Sequence, residues 1–147
     1  MDAPALSPTL PERIRGFIEG TRFASIATID PDGAPRQAVV WYLVEGDELV
    51  INSLDGRRWP ANLRRDPRIS FTVIDATDGY NWIGLTGEVV EVVEDQPRAQ
   101  ADIAAMARRY HADEPEEAED LIRNRFEKQR RISFRVRITG FHDHLED

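Results

Sequence analysis

Hydrophobic positions along the chain change period several times, and each change marks an element. Leu10, Ile14, Phe17 and Ile18 fall on one face of a short helix over Leu10 to Glu19. From Arg22 the period shortens to two. Arg22 to Ile29, the turn Asp30-Pro-Asp-Gly33 and the run Gln37 to Val44 predict a β-hairpin, Gly33 supplying a positive φ. A second turn at Glu45-Gly-Asp47 leads into Glu48 to Ser53, which makes three strands of a meander. Trp59 to Asp66 is a short helix with Pro60 in its first turn and Pro67 beyond its end. Arg68 to Ile74 alternates strictly, and Tyr80 to Val93 is strand-like, with Gly84 and Gly87 as bends or bulges. Helical spacing returns over Gln96 to Tyr110 and Pro115 to Arg125. A last strand carries Ile132, Phe134, Val136 and Ile138 on one side.

About six strands, one short inner helix and a helical excursion before the final strand predict a mainly β, α+β fold in which a small barrel closes or nearly closes and removes its sheet edges. At 147 residues the whole chain, 1–147, is expected to form a single domain, with an extended arm over 1–9 and a helical insertion over 96–127. The absence of cysteine excludes disulfides, thiolate metal sites and cysteine nucleophiles, so redox chemistry requires a borrowed cofactor. No apolar run approaches the roughly 20 residues of a membrane span, and the first ten residues lack a basic start and an apolar stretch. The expected location is the cytoplasm, with no membrane association. A net charge of −8 disfavours nucleic acid as a partner.

Positive charge is nevertheless concentrated. Arg57, Arg58, Arg64, Arg65 and Arg68 lie within twelve residues, a pattern of a local anion site in an acidic protein. Arg57 and Arg58 follow a strand ending in Asn52 and Ser53 and stand just before a helix start, where outward N–H groups and two guanidiniums make a phosphate cradle; the alternative is a pair of solvated loop charges. Arg64, Arg65 and Arg68 are read as partners of nearby acidic groups. Trp59 either stacks on a ligand ring or anchors the helix start, and the Trp-Pro pair favours the anchor. Tyr80 and Trp82 share a strand face, as an aromatic wall or as buried core and interface groups, whereas Trp41 and Tyr42 point to opposite faces. His142 and His144 alternate onto one face without a third ligand, so no metal site is expected. No nucleophile elbow, dinucleotide fingerprint or P-loop is present.

The Arg22 to Ile29 run, the Asp-Gly turn with Pro35 two residues on, the arginine loop and above all Asn62-Leu-Arg-Arg-Asp-Pro-Arg68 resemble the pyridoxamine 5′-phosphate oxidase-like superfamily. Within it the chain looks most similar to the F420-dependent oxidoreductases of the B branch, over residues 10 to 140. The resemblance implies a six-stranded split β-barrel of the FMN-binding type, a homodimer with cofactor at the subunit interface. It implies that Ser53, Arg57 and Arg58 hold the cofactor phosphate, with Asn52 beside them and Trp59 and Pro60 at the adjoining helix start as further cofactor-binding residues. Gln37, Ala38 and Val39 would lie along the ring, and Tyr80, Asn81 and Trp82 would close on it. Members of the family carry a lysine two residues after the first loop arginine, where this chain has Trp59, so the arginines are left to bind phosphate alone.

The function implied is an oxidoreductase that transfers a hydride between reduced coenzyme F420 and a small conjugated substrate. The cofactor supplies the reactivity, and no side chain is required as a catalytic nucleophile. An FMN-binding relative and a non-catalytic F420 carrier are the alternatives, and a haem-binding split barrel would use His111, His142 or His144 as iron ligand. Dimerisation is also expected because apolar strand face exceeds what one small core covers.

Overall fold

The computed structural model describes residues 10–146, and the arm expected over residues 1–9 lies outside them. The described residues run α1 (Glu12–Glu19), β1 (Ala24–Ile29), β2 (Pro35–Val40), β3 (Leu43–Glu45), β4 (Glu48–Leu54), α2 (Arg58–Arg65), β5 (Arg68–Ile74), β6 (Trp82–Val93), α3 (Gln96–Tyr110), α4 (Pro115–Asn124), a 3₁₀ turn (Phe126–Lys128) and β7 (Arg131–His144). All strand pairs are antiparallel, in the order β2-β1-β5-β6-β7-β4-β3.

That order forces the sheet to curl. β2 and β3 lie at opposite ends of it, yet only Trp41 and Tyr42 separate them in sequence. Three Cα steps reach at most about 11 Å, whereas six inter-strand spacings would hold the edges of a flat sheet about 29 Å apart. The sheet therefore rolls into a barrel whose seam is crossed by Trp41-Tyr42, which is the split-barrel architecture.

The barrel interior takes Ile26, Leu49, Ile51, Phe71, Val73, Ile83, Leu85, Phe134 and Val136, and α1 contributes Ile14 and Ile18 to the same core. Alternation then directs the other side chains of β4 and β7 outward. There α3 and α4 cover them: Val50 packs with Ile103, Met106, Ala107, Ile122 and Phe126 in a second cluster. The run Leu49 to Ser53 is buried on both faces for this reason.

Arg68–Ile74 and Gln96–Tyr110 form with the expected bounds. The run Gln37 to Val44, read from its unbroken apolar character as one strand, is instead divided at Trp41-Tyr42 because the chain changes sheet edge there. Tyr42 turns inward, fully buried, and Trp41 outward against α3, as their opposite faces require. β6 begins at Trp82, leaving Tyr80 and Asn81 in the preceding turn, and β7 continues past Ile138 to His144. Of the two glycines in β6, only Gly87 sits at a register shift. A Cβ there would stand 2.6 Å from Val136 Cγ1 and 2.9 Å from the Arg137 carbonyl, so close strand approach requires glycine.

Candidate cofactor site

The loop after β4 is built around Asp55. Its carboxylate accepts from Arg64 Nη1 at 3.0 Å and Arg130 Nε at 3.2 Å, and its backbone N–H donates to the Arg130 carbonyl at 2.9 Å. The hydrogen bond from Arg64, ahead of that from Arg130, holds the Asp55 carboxyl below the usual carboxylate range. Gly56 follows at φ +108°, a conformation that L side chains rarely adopt, and reverses the chain so that Arg57 precedes the first turn of α2. No side chain caps that turn. Arg57 faces a cavity of about 400 Å³.

The opposite wall comes from α3 and the segment that follows α4. Gln96 and Gln100, one helical turn apart, hold that segment. Gln96 donates to the Arg131 carbonyl at 2.9 Å and accepts from the Arg131 N–H at 2.9 Å; Gln100 donates to the Phe126 and Gln129 carbonyls at 2.8 Å each. Arg125, Phe126, Gln129 and Arg131 are thereby set around the cavity. Arg131 is only 6% exposed. Its Nε donates to Asn52 Oδ1 at 3.0 Å and its Nη1 to Gln129 Oε1 at 2.7 Å, with the guanidinium 5.0 Å from the centre of the Phe126 ring. Asn52 is itself fixed, donating to Ser133 Oγ and the Ala99 carbonyl.

Every hydrogen-bond partner of the Arg131 guanidinium is neutral, and among the described residues Arg57, Arg125 and Arg131 form no salt bridge. Burial, followed by repulsion from Arg57 and Arg125, lowers the Arg131 pKa to about 10. Arg135, on the same side of β7, shows the ordinary solution: burial acts on it too, but hydrogen bonds and charge from Asp102, at 3.0 and 3.3 Å, outweigh that and its pKa is raised. A buried guanidinium without a counter-charge is costly in a protein interior. Arg131 is the buried one of the three, and the exposed Arg57 and Arg125 share its cavity.

Aromatic rings line the rest. Trp41 stacks on Tyr110 at 5.0 Å and 8°, Tyr110 on Phe23 at 5.7 Å, and the Phe126 ring meets Trp41 edge-on. Phe23 is 54% and Val39 73% exposed at the mouth. Trp59 is 7% exposed and packs against Phe134 at 5.7 Å, while part of it still lines the cavity.

The fold thus brings together Val39, Asn52, Ser53, Arg57 and Trp59 from the expected set. Others lie elsewhere. Gln37 is exposed on β2 and Ala38 packs partly against the barrel core, neither lining the cavity. Pro60 is buried within α2. Arg58 turns away from Arg57 into a shallow hollow with Asp30, Arg36, Asn62 and Arg65. Arg64 and Arg68 pair with carboxylates as expected, but Arg65 donates to the Ile29 carbonyl and Asn62. Tyr80, Asn81 and Trp82 form a separate corner, where Trp82 stacks against His142 at 5.2 Å and His144 at 4.9 Å and Tyr80 is 73% exposed. His111 instead joins Glu114 and Glu117 at the start of α4, with ligand atoms within 4.8 Å of one another. Sequence reading passes over Phe23, Arg125, Phe126, Gln129 and Arg131. Their one visible signal is the run of cations from Arg123 to Arg131 ahead of the last strand.

No helix among the described residues is long and apolar enough to cross a membrane. The chain is similar in structure to an F420 reductase, with a TM-score of 0.72 and 24% identity over 90% of this chain and 98% of that one. It is similar to a conserved hypothetical protein from Mycobacterium tuberculosis, with a TM-score of 0.70 and 26% identity over 97% and 91%. The haem storage protein HutZ from Vibrio cholerae matches with a TM-score of 0.67 and 19% identity over 92% and 95%. A search of curated proteins finds no match. The family profile of pyridoxamine 5′-phosphate oxidase matches residues 10–142, nearly the whole barrel and its helical insertion, and the chain belongs to that family.

Proposed function

We propose that the cavity binds a flavin-type redox cofactor by its phosphate, that this cofactor is the deazaflavin F420, and that the protein is an oxidoreductase acting on a small conjugated substrate. The observation that carries the reading is the set of uncompensated guanidiniums of Arg57, Arg125 and Arg131 beside the exposed strand edge at Val39. When bound, the cofactor supplies hydride transfer. The chain's own residues do the rest. Arg57 and Ser53 receive the phosphate from the loop side, Val39 and Trp41 offer apolar surface for a planar ring, and Phe126 and Trp59 exclude water.

FMN is the second reading, supported by the same three charges, which also suit a phosphomonoester dianion. Titrating the purified protein with F420 and following the cofactor's fluorescence tests the first reading. Saturation at micromolar concentration is expected, and no change would sink it. A yellow protein with a flavin spectrum after FMN addition, without an F420 response, would select the second.

In this reading a second copy completes the site. Phe23 and Val39 lie exposed at the mouth, and the Tyr80–Trp82 corner does not fold onto the chain's own cavity, so it is free to meet the other subunit's. Light scattering after size exclusion is expected to give the mass of two chains.

A further inference from the structure

We propose that Arg131, at the junction between the helical insertion and β7, is the principal anion receptor of the cavity, ahead of the loop arginines Arg57 and Arg58. The inference rests on the reading of the cavity as a phosphate site, but not on which ring the phosphate belongs to.

Three observations point the same way. First, Arg131 is the buried member of the set, and it lines the cavity with a charge whose hydrogen-bond acceptors among the described residues are both amide oxygens. Its Nε and Nη1 are engaged by Asn52 and Gln129, and Nη2 is the nitrogen of the fork without a protein acceptor among the described residues. Secondly, the fork is held before any ligand arrives. Gln96 grips both backbone groups of Arg131, and Asn52 is tethered to Ser133 and Ala99, so little side-chain entropy remains to be lost on binding. Thirdly, the loop pair is divided: Arg58 lies on the other side of the α2 start, leaving Arg57 alone of the two in the cavity. Guanidinium and phosphate match in geometry, and the match is strongest where water is excluded.

The ligand class follows from the count of charges. Three guanidiniums with no carboxylate among them favour a phosphate or pyrophosphate group over a lone carboxylate, which neutralises one charge at most.

The test follows thermal unfolding of the full-length protein with rising inorganic phosphate, and separately pyrophosphate, at ionic strength held constant with sodium chloride. Wild type is expected to gain several degrees, more with pyrophosphate. Arg131→Met is expected to weaken the apparent phosphate affinity at least tenfold, Arg131→Lys to fall between, and Arg58→Ala to behave as wild type. A full phosphate response in Arg131→Met, or a wild-type response no larger than that to chloride, overturns the inference. Should Arg131→Met fail to fold, Arg131→Lys decides: unchanged affinity overturns, and a threefold or larger loss supports. F420 and FMN titrations on the same proteins separate the two readings. Cofactor binding untouched in Arg131→Met removes this inference alone, whereas an Arg131-dependent phosphate response with no binding of either cofactor removes the proposed function and leaves the inference standing.

Discussion

Arg131 and Arg135 stand four residues apart on one face of β7; Asp102 neutralises Arg135, whereas the Arg131 guanidinium donates to the neutral side chains of Asn52 and Gln129. The same strand thus carries a closed charge pair and an open one. Asp102 of α3 reaches the first, while the α3 residue beside Asn52 at the other level is Ala99, which offers a carbonyl.

Breaking the closed pair is expected to be expensive. Asp102→Ala leaves the Arg135 guanidinium largely buried, with Glu45 and Glu91 as more exposed partners at 3.3 and 3.9 Å. A loss of about 3–5 kcal/mol is expected by analogy with other broken buried pairs, read from urea unfolding, with cofactor binding retained in whatever fraction stays folded.

Closing the open pair is expected to abolish anion binding instead. Asn52→Asp puts a carboxylate where Asn52 Oδ1 now accepts from Arg131 at 3.0 Å. Phosphate-dependent stabilisation should fall tenfold or more, and a retained response would mean that Arg57 and Arg125 carry the site unaided.

Asp55 gives a pH dependence of definite sign. Its folded pKa lies below the unfolded value because Arg64 and then Arg130 hydrogen-bond the carboxylate. The stabilisation is therefore fully present above the unfolded value of about 4, and is lost as pH falls through the depressed folded value. Urea midpoints measured from pH 5 to pH 2 should drop less steeply in Asp55→Asn than in wild type. Equal slopes would show that the clamp adds no stability.

Restoring the family's lysine is expected to harm rather than help. Trp59 packs against Phe134 in the barrel core, so Trp59→Lys removes a core aromatic and buries an ammonium in its place. A cost of about 3 kcal/mol or more is expected, measured by chemical unfolding, with no gain in phosphate affinity. The departure from the family pattern is thus a packing exchange.

Gly56→Ala tests the turn that presents Arg57. At φ +108° a β-carbon is strained whatever the space around it, at about 1–3 kcal/mol. Relief of that strain would turn the loop, so weaker phosphate binding should accompany the lower melting temperature.

Elements with sustained local period are legible from sequence, as β5 and α3 show, because their side-chain spacing and their burial agree. The break at Trp41-Tyr42 is not, since an apolar run continues through it and only the closing of a barrel by distant strands interrupts the pairing. The loop arginine Arg57 is legible from its place after a strand and before a helix. Arg131 is not. Nothing local distinguishes it from Arg130, which pairs with Asp55; what separates them is contact with Asn52 and Gln96, 79 and 35 residues away. Tyr80 and Trp82 share a pattern but not an environment, because the turn releases Tyr80 before β6 begins.

The two-residue passage between β2 and β3 ties closure of the barrel to the wall of the cavity. Trp41, which lines the cavity, is the neighbour of Tyr42, whose hydroxyl donates to the Ile18 carbonyl inside the barrel. A fluctuation that parts the two edge strands, β2 and β3, strains the contact of the indole with Tyr110. An occupant of the hollow thus holds the cylinder shut, and slower hydrogen exchange along β2 and β3 in its presence is the signature to seek.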